Sequence, residues 1–212
     1  MALRTAAAWI GEGELTRGRL LLESEAPVDA AHAARRAALL GRLEVLEGHA
    51  TAARNHLELA ATVPGADPSG RVAAIRWLAM LDSIDSTTVA RFGRGVVSVA
   101  KGEPVVLVAA VGAWVLGRPD GGDVLLALSA EELEAAGFHD QASAVRSELV
   151  RRWPVSAETP GALLAMARDA ARTDPHQAAS WLAQLIVDHP DSALAPVARR
   201  ELLTLQGSVP GS

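Results

Sequence analysis

The sequence predicts an all-α protein built from helical hairpins in tandem, and three observations support this prediction. The stretch from Gln141 to Ala162 recurs 36 residues further along the chain. Alanine and leucine dominate the composition, whereas the 212 residues include five Trp, two Phe and no Tyr. Apolar residues also return at helical spacing through most of the chain. A fixed period of this length in an Ala- and Leu-rich chain is typical of helical repeat arrays, since Ala favours helices.

The repeat preserves both turn residues and apolar positions. Eight pairs of identical residues lie 36 positions apart: Gln141 and Gln177, Ala142 and Ala178, Leu149 and Leu185, Pro154 and Pro190, Ser156 and Ser192, Ala157 and Ala193, Pro160 and Pro196, and Ala162 and Ala198. In the N-terminal part a shift of 37 aligns Gly11 with Gly48 and Leu20 with Leu57. The two matches predict the same kind of repeating unit in both halves.

The N-terminal part predicts successive amphipathic helices. They cover residues 2–11, 14–25, 29–47, a partner ending at 63, 67–82 and 86–101. The Asp67-Pro68 pair has the form of an N-cap followed by proline in the first turn. Gly93 and Gly95 interrupt the helix over 86–101, and each interior glycine costs about 1 kcal/mol relative to Ala. We therefore expect this helix to be the least stable of the set.

The most apolar stretch runs from Pro104 to Leu116. It holds 13 residues, whereas a helix needs about 20 to cross a bilayer. We therefore predict a buried core helix here and no membrane span.

The C-terminal part begins after a segment dense in turn-forming residues, Arg118 to Gly122. The predicted organisation is N-terminal repeats over 1–117, a loop or bend over 118–122, C-terminal repeats with a capping helix over 123–206, and a tail over 207–212. Helices are predicted over 123–135, 139–153, 157–172, 174–189 and 192–205. Asp174-Pro175 repeats the Asp-Pro helix start.

Composition limits the classes of partner. Twenty basic and 25 acidic residues give a formal net charge of −5, and neither sign forms a long block. Nucleic-acid binding needs clustered Lys and Arg, so no nucleic-acid partner is expected. With no Cys, disulfides and thiolate metal sites are excluded.

Candidate catalytic, cofactor and metal residues are not found. His49 and His56 are seven residues apart without a carboxylate at metal-ligand spacing, and His49 is expected to start a helix. His139 and His176 are interpreted as surface or capping residues at helix starts.

The remaining acidic candidates also predict no metal site. Asp120 and Asp123 lack the ligand pattern of a calcium loop. Glu131, Glu132 and Glu134 are expected to form a solvated helix face. Trp153, beside Pro154 at a helix end, is the one residue proposed as a partner contact.

One set of residues in the C-terminal part has a familiar arrangement. It comprises Ala178, Leu182, Leu185, Ile186, His189-Pro190-Asp191-Ser192, Ala195, Pro196, Ala198 and Leu202. The arrangement resembles tetratricopeptide-type repeats, especially those of bacterial envelope-assembly proteins in which a Pro-Asp-Ser loop joins successive hairpins. The resemblance covers residues 123–205 well and 2–82 more loosely. The chain departs from it in its period, 36 to 37 against about 34, and in Val155, which replaces the Asp of the loop.

The resemblance implies a right-handed solenoid whose inner surface binds a peptide or a helix of another protein. A non-enzymatic scaffold or adaptor is therefore expected, with no cofactor. The alternative is a structural or oligomerisation subunit that packs through residues 104–116. No leader is visible after Met1, so the chain as given is expected in the cytoplasm, and in the periplasm or cell envelope if a leader has been removed.

Overall fold

The computed structural model describes residues 1–64, 66–117 and 122–208, which form twelve α-helices and no strand. The helices are α1 (Ala2–Gly11), α2 (Leu15–Ser24), α3 (Ala30–Glu47), α4 (Ala50–Thr62), α5 (Pro68–Ser83), α6 (Ser86–Ala100), α7 (Pro104–Gly117), α8 (Gly122–Ala135), α9 (His139–Arg152), α10 (Thr159–Ala170), α11 (Pro175–Asp188) and α12 (Ala195–Ser208). The predicted all-α class is confirmed.

The chain divides into two compact units, Met1–Leu125 and Leu126–Ser212. Of the predicted loop over 118–122, residues 118–121 lie outside the described residues, and Gly122 begins α8. The tail was predicted to start at Gly207, but α12 continues through this residue to Ser208. The rest of the predicted tail, residues 209–212, lies outside the described residues.

Helix α3 is the centre of the first unit. It packs against α1, α2, α4, α5 and α6, while α4 also packs against α5, and α6 against α7. Its C-terminal half is buried on nearly all sides, including Leu40, Leu43, Val45 and Leu46. A helix buried around its circumference occupies a core position, and α1, α2, α4, α5 and α6 are arranged around it.

The glycines of α6 are points of close helix contact. A Cβ atom at Gly93 would lie 2.6 Å from the backbone oxygen of Leu46 in α3, and one at Gly95 would lie 2.8 Å from Cα of Leu107 in α7. Both glycines are buried. The expectation that glycine weakens this helix rests on intrinsic helix propensity alone. In the fold these two glycines allow the backbone of α6 to come into contact with α3 and α7.

Four hairpins share one turn built on a left-handed glycine. Gly13, Gly48, Gly102 and Gly137 have φ of 77°, 85°, 86° and 84°. In each turn the glycine N–H donates to the residue three positions earlier, and the next N–H donates to the residue five positions before itself. This is the helix C-terminal motif that satisfies the last free carbonyl groups, and it favours glycine because L-residues are strained there.

The period of 37 in the N-terminal part is wrong. The turn glycines Gly13 and Gly48 are 35 residues apart, as are Gly102 and Gly137. Burial supports 35, because Leu22 and Leu57 are both buried, whereas the predicted pair Leu20 and Leu57 have exposures of 63% and 1%. The shift of 37 matched Gly11, which is the last residue of α1, to a glycine that forms a turn. Residues 86–117 match no other segment of the chain in sequence. They nevertheless form two helices, α6 and α7, joined by a left-handed glycine turn at Gly102.

In the second unit the sequence repeat of 36 is also a repeat of hydrogen bonds. The N–H of Trp153 donates to Leu149 O at 2.9 Å, and the N–H of His189 donates to Leu185 O at 3.0 Å. The hydroxyl of Ser156 accepts from the N–H of Glu158, and the hydroxyl of Ser192 accepts from that of Leu194. The loops after α9 and α11 therefore have the same local structure at positions 36 apart.

The prediction that residues 104–116 form a wholly buried helix is wrong for one face of α7. Leu107, Val111, Trp114 and Val115 are buried, but Val105 is 75% exposed and Leu116 is 78% exposed. Within the described ranges, none of the helices combines the length and hydropathy that a bilayer crossing requires.

Substitution of Gly93 by Ala should destabilise the first unit. The methyl group would collide with backbone atoms of α3, and overpacking of this kind costs about 1–3 kcal/mol, more than the helix propensity of about 1 kcal/mol that Ala gains. Gly112→Ala is the matched control, because its Cβ would meet nothing within 4 Å in α7. Urea unfolding followed by circular dichroism should show a lower free energy of unfolding for Gly93→Ala and a higher one for Gly112→Ala. Equal effects of the two substitutions would contradict the packing role of Gly93.

Candidate functional site

A groove lined mainly by alanine lies on the first unit. Its volume is about 300 Å³. We call it the alanine groove, and its lining residues are Leu3, Arg4, Ala7, Ala34, Arg35, Ala38, Leu39, Ala60, Ala66, Asp67 and Gly70. They come from α1, α3, α4 and the start of α5. Helices that pack at ordinary separations leave space between them where their facing side chains are small, so the alanines themselves create the groove.

On α1 and α3, residues one turn apart line the groove. Ala34 and Ala38 are four apart on α3, as are Arg35 and Leu39, and Leu3 and Ala7 have the same spacing on α1. Positions i and i+4 share a helix face. The groove is therefore a continuous surface formed by regular helices.

Charged groups in the groove are two arginines and one aspartate. The Asp67 carboxylate caps α5 and accepts hydrogen bonds from Ser69 N at 3.0 Å and Gly70 N at 3.3 Å. The Ser69 hydroxyl, followed by the Gly70 N–H, holds the pKa of Asp67 below its usual value, and Arg35 has a smaller effect in the same direction. In the described part of the chain, Arg4 and Arg35 donate no hydrogen bond to a protein group. The lining thus has positive charge available for an external ligand.

A polar cluster joins three helices beside the core of the first unit. Glu44 near the end of α3 accepts from Arg19 of α2 at 2.8 Å through Oε1, and Oε2 lies 2.8 Å from Nδ1 of His49, the N-cap of α4. Arg19 also donates to Glu47 at 2.5 Å. Burial raises the pKa of the Glu44 carboxyl, but hydrogen bonds from Arg19 and His49 outweigh this effect, so its pKa is below the usual value.

The same cluster is the group of potential metal ligands that sequence reasoning missed. Ligand atoms of Glu44, Glu47 and His49 lie within 4.8 Å of one another. Glu44 and Glu47 precede His49 by five and two residues, separations that do not share a helix face, but the turn at Gly48 folds His49 back onto the preceding helix. Arg19 already pairs with both carboxylates, so a metal ion would have to displace its guanidinium. The arrangement is best explained as a structural ion-pair cluster.

A comparable cluster in the second unit corrects the prediction made for Glu134. Glu134 was expected on a solvated face, but it bonds His139 at 2.7 Å and Arg146 at 3.1 Å. Arg146 is 7% exposed and also pairs with Asp169. Burial raises the pKa of Glu134, but hydrogen bonds from Arg146 and His139 outweigh this effect, so its pKa is below the usual value. Arg168 pairs with Glu201, and Arg151 with Glu148.

The residues proposed from the repeat belong to the second unit, whereas the alanine groove belongs to the first. Trp153 is half-buried at the end of α9, where its carbonyl accepts from the Thr159 hydroxyl at 2.6 Å. Its use as a partner contact stays a prediction. An open cavity of about 430 Å³ lies between the loop at Val155 to Ala157 and the loop at Asp188 to Ser192. Equivalent loops of the repeat therefore lie side by side, but their serines are used in local turns.

Comparison with protein-family models, curated proteins and solved structures gave no significant match. The resemblance to tetratricopeptide-type repeats therefore stays a prediction from the residues.

Glu44 should make the stability of the protein sensitive to acid. The carboxyl has its usual pKa near 4.5 in the unfolded chain and a lower one in the folded chain. As the pH falls below about 5 the unfolded state binds more protons, so the free energy of unfolding decreases until the folded carboxyl is also protonated. Glu44→Gln should remove part of this dependence and should cost about 1–3 kcal/mol at neutral pH, because Arg19 loses one of its two charged acceptors.

Urea unfolding of wild type and Glu44→Gln at pH values from roughly 3 to 7, which bracket the usual carboxyl pKa, measures this effect. The control is Glu58→Gln on α4, where the side chain is exposed. An acid dependence in Glu44→Gln that equals the wild-type dependence would refute the role given to Glu44.

Proposed function

We propose that this chain is a non-enzymatic helical scaffold that binds another protein or a peptide. The alanine groove is the observation that carries the proposal. It offers a concave apolar surface on regular helices, and concave apolar surfaces with a few polar groups are the usual places for ligands. Helical surfaces of this kind bind extended or helical peptide segments through many modest contacts.

The chemistry of the groove favours binding over catalysis. An active site would bring together several titratable groups with shifted pKa values, a nucleophile or a metal ion. The described lining contributes two arginines and Asp67, and the Asp67 carboxylate is used to cap α5. The two polar clusters elsewhere join neighbouring helices and have their charges paired.

Capture of a partner followed by reconstitution tests the proposal. The full chain is immobilised and exposed to an extract of the organism that encodes it, and each protein retained is then expressed alone and titrated by calorimetry. We expect a saturable complex with a dissociation constant of about 1 μM or tighter, equivalent to roughly −8 kcal/mol. The heat-unfolded chain is the control. The proposal is wrong if no purified protein binds the folded chain.

The exposed face of α7 supports a second candidate, a structural or oligomerisation subunit. This face carries Val105, Val108 and Leu116. Val105 is 75% exposed and Leu116 is 78% exposed. Large exposed apolar patches are typical of protein contacts. In this case α7 would pack permanently against another chain.

The oligomeric state separates the two candidates. A scaffold of the proposed kind should be monomeric in sedimentation equilibrium at about 1 μM, a concentration at which weak self-association is absent. A dimer under these conditions that Val105→Glu converts to a monomer would favour the second candidate. Leu203→Glu on α12 is the matched control, since Leu203 is also exposed and lies in the second unit.

A further inference from the structure

We infer that the alanine groove binds an acidic amphipathic segment of a partner protein, with apolar side chains in the groove and carboxylates against Arg4 and Arg35. This inference rests on the proposed scaffold function and adds the location of the site and the chemistry of its occupant.

The size and lining of the groove define the apolar part of the occupant. Its volume of about 300 Å³ is at the lower end of ligand sites, which span about 300–1,000 Å³. Most of the lining consists of methyl groups and aliphatic chains from α1 and α3, which offer no hydrogen bonds to a polar ligand. Such a surface accommodates a few aliphatic or aromatic side chains presented one turn apart, as on one face of a helix.

The charges define the flanks of the occupant. Arg4 and Arg35 are both exposed, and within the described residues neither donates a hydrogen bond to the protein. Asp67 keeps its negative charge while it caps α5, and one carboxylate against the two arginines leaves the lining with positive charge in excess. A guanidinium group pairs with a carboxylate through two parallel hydrogen bonds. Acidic residues beside the apolar ones therefore complement this lining better than neutral or basic residues.

The second unit provides an internal contrast. Three of its arginines, Arg146, Arg151 and Arg168, are paired with Glu134, Glu148 and Glu201 of the same chain. An acidic ligand there would have to compete with those carboxylates. The alanine groove combines an apolar lining with two exposed arginines, and this combination favours it as the site for the acidic segment.

Selection from a displayed peptide library tests the inference. Random peptides of about 12 residues, roughly three helical turns, are selected on the full chain. We expect winning peptides that place apolar residues three or four apart next to Asp or Glu. Binding of a fluorescein-labelled winner is then measured by anisotropy. Arg35→Glu should weaken it about fivefold or more, since a charge at the rim becomes repulsive, and replacing the acidic residues of the peptide by Lys should restore binding to this variant.

A second variant tests the apolar part. Ala38→Trp fills the groove and should weaken binding about tenfold, whereas Ala144→Trp at an exposed position of α9 should leave it unchanged. Because Arg35 is exposed, Arg35→Glu keeps the test valid even if Ala38→Trp impairs folding. Failure to select any peptide, winners without acidic residues, or equal binding to wild type and both groove variants would each overturn the inference. The proposed function would survive such a failure if the chain still bound a purified protein partner.

Discussion

The close approach of α6 to α3 at Gly93 is the contact on which the arrangement of the first unit depends. Gly93 and Gly95 reduce the helix propensity of α6, yet they bring its backbone against α3 on one side and α7 on the other. Close packing between regular helices determines which face of α3 remains for the groove. The residues Ala34, Arg35 and Ala38 belong to α3, so the helix at the centre of the core also forms the proposed binding surface.

The charged clusters act on the same geometry by a different route. A partly buried ion pair is weak evidence for stability, since desolvation opposes the Coulomb attraction, but breaking one partner is costly. Glu44 uses one oxygen for α2 and the other for the start of α4, and Glu134 holds α9 in the second unit. Each cluster thus penalises a change in the way neighbouring helices pack, which keeps the surfaces between those helices in one form.

The sequence predicted the helices well and the contacts between them poorly. Local signals located Asp67 and Asp174 as N-caps, and every described helix has bounds close to those predicted, because capping and apolar spacing are properties of adjacent residues. The period of 37 failed because identical residue types were matched without regard to conformation, whereas Gly13, Gly48, Gly102 and Gly137 share a positive φ. Arg19 and Glu44 are 25 residues apart, and no local pattern pairs them. The alanine groove was missed for the same reason, since it joins residues of four helices.

The Ala-rich composition, which predicts helical packing, also explains why the first unit has a groove. Small side chains allow backbones to approach where two helices meet directly, as they do at Gly93, but small side chains also leave unfilled space at the groove, which four helices line. Larger residues at Ala7, Ala34 and Ala38 would fill that space and bury more apolar area, at about 25 cal/mol for each Å². The chain forgoes that stabilisation while placing Arg4 and Arg35 at the edge of the opening. Among the described residues this surface is apolar, unfilled and bordered by two arginines that donate no hydrogen bond to the protein, and these are the features on which the proposal of a bound ligand rests.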